Sequence, residues 1–171
     1  SGKKVGELFP NLSLLVHGGV NVEPYKAKLF DSIGRPIDTI ETFPASEGFF
    51  AFQDSRHEEG LLLNTNAGMF FEFVPAEEIF SPSPRRLSLG EVETGVNYAL
   101  LISSNAGLWA YNIGDTVKFV SLNPYRLIVS GRIKHFISAF GEHVIGEEVE
   151  YAMHKTCSHF DIQTLEFTVA P

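Results

Sequence analysis

Thr42–Gln53 reads TFPASEGFFAFQ, a proline with small and acidic residues set between aromatics and followed by a nearly unbroken apolar run. PIDTIETFP, residues 36–44, carries β-branched and apolar residues up to this point, and FFAFQ, residues 49–53, resumes on its far side. Runs of this kind bounded by proline and glycine read as two strands joined by a bend, here placed at Pro44. A bend of this sort presents Phe43, Ser46 and Glu47 together, and those three residue types can meet a purine ring, a phosphate oxygen and a divalent cation respectively.

Outward from the bend, NLSLLVHGG (residues 11–19) reads as a strand that runs into a glycine turn. EPYKAKLFDSIG (23–34) follows with helical spacing and Gly34 as its stop. Downstream, GLLLN and GMFFEFVP read as strands with NTNAG as the turn between them. SPSPRR, Ser81–Arg86, has the composition of a linker and marks a subdomain boundary. Beyond it NYALLISS, GLWAY, DTVKFVS and RLIVSG read as short strands at the spacing of a small antiparallel barrel or sheet. GEEVEYAMHK then reads as an amphipathic helix with Val149, Ala152 and Met153 on its apolar side, and LEFTVAP as a last strand. The expected fold class is α+β: a mixed sheet with a helix over residues 1–80, an antiparallel β-barrel-like subdomain over 81–131, and the start of an α/β domain over 132–171.

With 171 residues, of which 44% are hydrophobic and 20% charged, the chain can fill a core and leaves little room for long disordered tracts. Its formal charge of -8 argues against a nucleic-acid partner, because a phosphate backbone is held by basic surface. The lone Cys157 excludes an internal disulfide, and no apolar run approaches the roughly 20 residues of a membrane span. A cytoplasmic protein that binds neither nucleic acid nor membrane is the expectation.

Two further stretches complete the candidate chemistry. Gly114–Asp115 in GLWAYNIGD is read as a strand end whose carboxylate offers two acceptor oxygens, which suits neighbouring ribose hydroxyls. SGRIKHFISAFGEHVIGEEVE places Arg132 as a donor to ribose or phosphate and Lys134 where a chain leaving one domain would turn. Each has a bland alternative: Gly18–Gly19 as an ordinary turn, Gly114–Asp115 as a structural hairpin device, Arg132 as a surface residue. His154, Cys157 and His159 lie close in sequence but lack a second ligand pair at zinc spacing.

In their order along the chain, HGG, FPASE, YNIGD and GRIKHFISAFGEHVIGEEVE resemble the motifs of the adenylate-forming superfamily. GMFFEFVPAEE followed by GVNYALLISSNAGLWAYNIGDTVKF is similar to the auxin-responsive Gretchen Hagen family of acyl acid amido synthetases and its bacterial relatives, and the resemblance runs from about Leu12 to Glu150. It implies an ATP- and Mg2+-dependent ligase that activates a small carboxylic acid as an acyl-adenylate and passes the acyl group to an amine or amino acid. It further implies roles: Gly18 and Gly19 beside the adenine, Phe43 facing it, Ser46 at the α-phosphate, Glu47 on the magnesium. Asp115 would bind the ribose hydroxyls, Arg132 would reach the ribose from the domain junction, and Lys134 would be the hinge.

The sequence departs from the family at Ala110 and Asn112, where many relatives carry arginine, and at Pro44, where the superfamily pattern has glycine. Gly141 sits where relatives that use coenzyme A pass its pantetheine arm, which keeps an acyl-CoA ligase as an alternative, beside a non-catalytic nucleotide-binding or interaction module. The phosphate loop and most of a C-terminal domain are not recognisable, so the chain is expected to be part of such an enzyme and to make no adenylate by itself. Apolar surface exposed on a part of this kind would favour a homodimer.

Overall fold

The structure is a computed structural model that describes residues 2–19, 22, 25–133, 137–139, 142–144, 146–160 and 162. Strand β1 (Leu14–Gly18) is followed by helix α2 (Lys26–Ile33) and strand β2 (Asp38–Ala45), and β1 and β2 pair in parallel. A short helix α1 (Val5–Leu8) precedes them. Gly34 closes α2 with φ of 92°, and its N–H donates to the carbonyl of Phe30, so the sequence-expected stop is the one used.

The remaining strands are β3 (Gly48–Phe52), β4 (Leu61–Leu63), β5 (Met69–Pro75), β6 (Leu87–Ser88), β7 (Asn97–Ser104), β8 (Tyr111–Leu122) and β9 (Tyr125–Arg132). They join one sheet of order β1-β2-β3-β4-β9-β8-β7-β5-β6, in which every pair except β1/β2 is antiparallel. The 81–86 segment does not divide two sheets, because β4 pairs with β9 and β5 with β7 across it. Among the described residues the sheet ends at β1 and β6, which are not paired with each other, so it is open and not a closed barrel.

It is nevertheless strongly curled. At about 4.8 Å per strand step, β3 and β5 would stand roughly 24 Å apart in a flat sheet. Yet the rings of Phe50 on β3 and Phe71 on β5 meet edge to face with centroids 6.5 Å apart, in one core cluster with Phe43 of β2 and Val117 and Phe119 of β8. That cluster holds Phe50, Phe71, Phe73, Tyr98, Leu100, Ile102 and Leu127 as well, and edge-to-face contacts link Phe73 with Tyr98 and Phe119. The period of two along β7 explains the second, smaller cluster: Tyr98, Leu100 and Ile102 enter the main core, while Ala99 and Leu101 face the other way to meet Val74 and Ile133.

Several local expectations shift. The β2–β3 turn falls at Ser46–Glu47, not at Pro44, which lies inside β2 beside a register break after Phe43. A proline is tolerated there because the bulge relieves it of a ladder donor. GLWAY is not a strand: Ala110 has φ of 46° and Trp109 is exposed, so extended backbone begins only at Tyr111. Gly114–Asp115 lies within β8 and does not end it.

Beyond the sheet, β10 (Ile137–Ala139) and β11 (Glu142–Val144) form an antiparallel pair and α3 spans Gly146–Phe160. Among its described side chains Val149, Met153 and Cys157 are half-buried, while Ala152 is exposed. Lys134, Gly141 and LEFTVAP lie outside the described residues. No helix among the described residues is long and apolar enough to cross a membrane.

β4 is three residues long, and an ion pair spans it. Arg126 on β9 donates to both oxygens of Asp54 at the end of β3, at 2.6 and 3.0 Å, and the arginine is buried. These hydrogen bonds hold the Asp54 carboxyl below the usual carboxylate range. A depressed folded-state pKa stabilises the fold above the unfolded value, and this contribution is lost as pH falls through the folded one. Asp54→Asn should therefore lower unfolding free energy by about 1–2 kcal/mol at neutral pH. In urea titrations that deficit should shrink in acid; a deficit that is the same at both pH values would contradict the pairing.

Candidate functional site

A cleft of about 1000 Å3 opens beside this ion pair. β4 begins only at Leu61, which pairs with Leu127, so beyond that row no strand lies between the end of β3 and the continuing length of β9. Gln53, Gly60 and Leu61 line the cleft on one side and Ile128–Arg132 on the other. The β2–β3 hairpin supplies Phe43–Glu47, β8 supplies Ile113 and Asp115, and the end of β1 supplies His17 and Gly19.

The structure therefore brings Gly19, Phe43, Ser46, Glu47, Asp115 and Arg132 together on one cavity, although they come from four separate stretches of sequence. Gly18 is not part of the lining. Its role is steric, since a Cβ there would stand 2.5 Å from the Thr42 carbonyl oxygen and 2.9 Å from Pro44. Gly19, with φ of 81°, has open space around it. Phe43 borders the cleft, but its ring packs in the core, edge to face with Phe50 at 5.1 Å. Ser46 is exposed at the turn and Glu47 is half-buried.

Asp115 is the buried acid of the site, 8% exposed, and Arg132 Nε donates to its Oδ1 at 2.9 Å. The two face one another in the β8/β9 register. Burial pushes the Asp115 carboxyl above its ordinary value; the charge and hydrogen bond of Arg132 pull it back, and the negative charge of Glu47 adds to the rise. The Arg132 side chain is 66% exposed, so its guanidinium has donors left for a ligand.

Some features of the cleft were not anticipated from sequence. Thr42 Oγ1 donates to the His17 carbonyl and ties β1 to β2, while His17 Nδ1 is buried without a hydrogen-bond partner. Gln53 Oε1 accepts from the Glu41 N–H. Next to Asp115, Ser130 and Thr116 join hydroxyl to hydroxyl at 3.1 Å across β8 and β9. Asn112 Oδ1 accepts from the Gly114 N–H at 2.9 Å, a local clasp whose sequence signal is the Asn-x-Gly spacing.

A carboxylate in this position can accept from two adjacent hydroxyls, and a serine hydroxyl at a hairpin tip can donate to an anionic oxygen. The Glu47 carboxylate is the kind of hard oxygen that a magnesium ion can take as a ligand. Among the described residues no group of three acidic, histidine or cysteine side chains forms a cage.

Because Asp115 is raised in the fold, its ionisation opposes folding: stability falls as pH climbs from the unfolded value through the folded one, and the cost is fully present above it. Carboxyl NMR should place the Asp115 midpoint above that of an exposed aspartate. Arg132→Ala should move it higher and Glu47→Gln lower; a midpoint insensitive to both would contradict this electrostatic account.

Comparisons with known proteins bear on the family and the fold. Residues 62–132 match the model of the GH3 family central domain. The chain is 31% identical over 121 residues to jasmonoyl-L-amino acid synthetase JAR4 of Nicotiana attenuata, covering 67% of this chain and 21% of that protein, so it spans about a fifth of the relative's length. Among solved structures it superposes on the AtGH3.15 acyl acid amido synthetase in complex with 2,4-DB with a TM-score of 0.72 at 18% identity, over 96% of this chain and 29% of the other. The anthranilate CoA ligase AuaEII in complex with anthranoyl-AMP follows at a TM-score of 0.53 and 18% identity, over 84% of this chain and 29% of that one. The resemblance carried by GMFFEFVPAEE and GVNYALLISSNAGLWAYNIGDTVKF thus stands: the chain carries the central domain of the GH3 (Gretchen Hagen) family and has the fold of the corresponding part of its acyl acid amido synthetases.

Proposed function

We propose that this chain forms the nucleotide-contacting portion of an ATP-dependent ligase that activates a carboxylic acid as an acyl-adenylate and transfers the acyl group to an amine. The observation that carries the reading is the convergence of the Ser46–Glu47 hairpin with the Asp115–Arg132 pair on one cleft. The relatives' names place amide-forming and adenylate-bound enzymes on the same fold, which supports the same direction.

In this proposal Asp115 accepts hydrogen bonds from the ribose hydroxyls, and Arg132 fixes that carboxylate while its exposed N–H groups reach the ribose or phosphate. Ser46 donates to an α-phosphate oxygen, and Glu47 is the protein ligand of the magnesium ion. Gly19 gives the nucleotide room to approach the end of β1, and the backbone at Phe43 borders the adenine. The cation would offset negative charge on the phosphates.

The first step forms a bond between a carboxylate oxygen and the α-phosphorus and releases pyrophosphate. In the second, the amine nitrogen attacks the acyl carbon, AMP leaves with the bridging oxygen, and the nitrogen loses a proton. The residues described here serve chiefly to position the phosphate and to donate to the charge that develops on it. An amine is the acceptor the family resemblance favours; Lys134 is assigned to the hinge on that resemblance alone.

Calorimetry with a non-hydrolysable acyl-adenylate analogue tests the reading. The chain should bind it, and Asp115→Ala should weaken binding by about tenfold or more, the loss of hydrogen bonds to a charged acceptor. Equal affinity in both proteins, or no binding by the full-length parent, would overturn it.

A further inference from the structure

We infer that Asn112 is a positioning residue for Asp115, holding open the β8 bulge that delivers the carboxylate to the cleft. The inference rests on the nucleotide reading only for the purpose of that delivery; the geometry stands by itself. Along β7 and β8, Leu101 faces Asn112 and Ala99 faces Thr116, so Ile113, Gly114 and Asp115 stand opposite Leu100 alone. Two surplus residues must therefore be accommodated on β8, and a bulge of this kind redirects the side chains it contains.

Gly114 makes the bulge affordable to the backbone, with φ of 86° and no heavy atom within 4 Å of where a Cβ would be. Asn112 then closes it: the Gly114 N–H, displaced from the ladder, is satisfied by Asn112 Oδ1 at 2.9 Å. The other wall is the Thr116–Ser130 hydroxyl bond, directly after Asp115, which ties down Ser130 where it is the surplus residue at a register break in β9; past that break Arg132 lies opposite the acid. Asn112 does not itself line the cleft, so it acts through Asp115.

The clasp gives a physical role to the short amide side chain at this position. An arginine there would lack the short acceptor that turns back to an N–H two residues on, whereas asparagine is well suited to it. The chain thus fixes the bulge locally, through a neutral group that adds no charge beside the Asp115 carboxyl.

NMR on the 171-residue chain can read the Asp115 carboxyl midpoint and Gly114 amide exchange in the wild type, Asn112→Ala and Asn112→Ser. With the clasp removed in Asn112→Ala, Gly114 exchange should quicken by roughly fivefold to tenfold, the worth of one hydrogen bond. The Asp115 midpoint should fall toward that of an exposed aspartate as the carboxylate gains water, with little change in melting temperature. Asn112→Ser keeps an acceptor oxygen and should restore part of both; it also serves if the alanine variant does not fold. Unchanged exchange and midpoint in a folded Asn112→Ala, or a shift in melting temperature alone, would overturn the inference. Because neither readout involves a nucleotide, a wild-type chain that fails to bind the adenylate analogue while the midpoint moves would reject the functional reading and leave the clasp standing.

Discussion

The three-residue β4 is the constraint on which the rest of the sheet depends. A strand this short cannot keep β3 and β9 evenly spaced along their length, so the two separate beyond Leu61 and the sheet curls back on itself. The curl encloses the aromatic core on its inner face and leaves the cleft where the strands diverge. Asp54 and Arg126 hold the two sides together across the short strand, with a buried guanidinium whose charge is fully matched by a bidentate carboxylate. Without that link an unpaired cation would remain inside, which is the more costly state.

The same architecture places strain and charge at one end of β8. The packed β7 strand, buried on both faces, cannot adjust to surplus residues, so the adjustment is made on β8 at Gly114. Its result is an aspartate that is nearly buried yet borders a cavity, with one cation beside it and another acid acting on it. Such an arrangement opposes folding at neutral pH and favours a ligand that brings hydroxyl donors and replaces the lost water. Sites of this kind are where perturbed carboxyl groups and function coincide.

Much of the strand-level plan was legible in the sequence, because alternation in GMFFEFVP and NYALLISS and the glycine stops are local signals. The residues of the cleft were legible too, through ordered motifs that a family resemblance joined. Three things were not. The pairing of β4 with β9 is a long-range choice with no local mark, so a linker-like SPSPRR suggested a separate barrel where the chain only crosses over within one sheet. Pro44 looked like the bend because proline usually ends a strand, but a bulge opposite it on β3, where Phe50 is the surplus residue, accommodates it and the turn is made two residues on. Phe43 was read as an adenine face, whereas the curl turns its ring into the core, and only the enclosed shape of the sheet could reveal that.

The hairpin and the β8–β9 end are proposed to act as one adenylate-binding cleft. The most direct measurement is a titration of the isotopically labelled chain with AMP, followed by backbone amide NMR. Joint movement of Ser46, Glu47, Asp115 and Arg132 signals, with those of β6 and the exposed face of α3 unmoved, is the predicted result. Shifts confined to residues away from the cleft, or present on one wall and absent from the other, would contradict it.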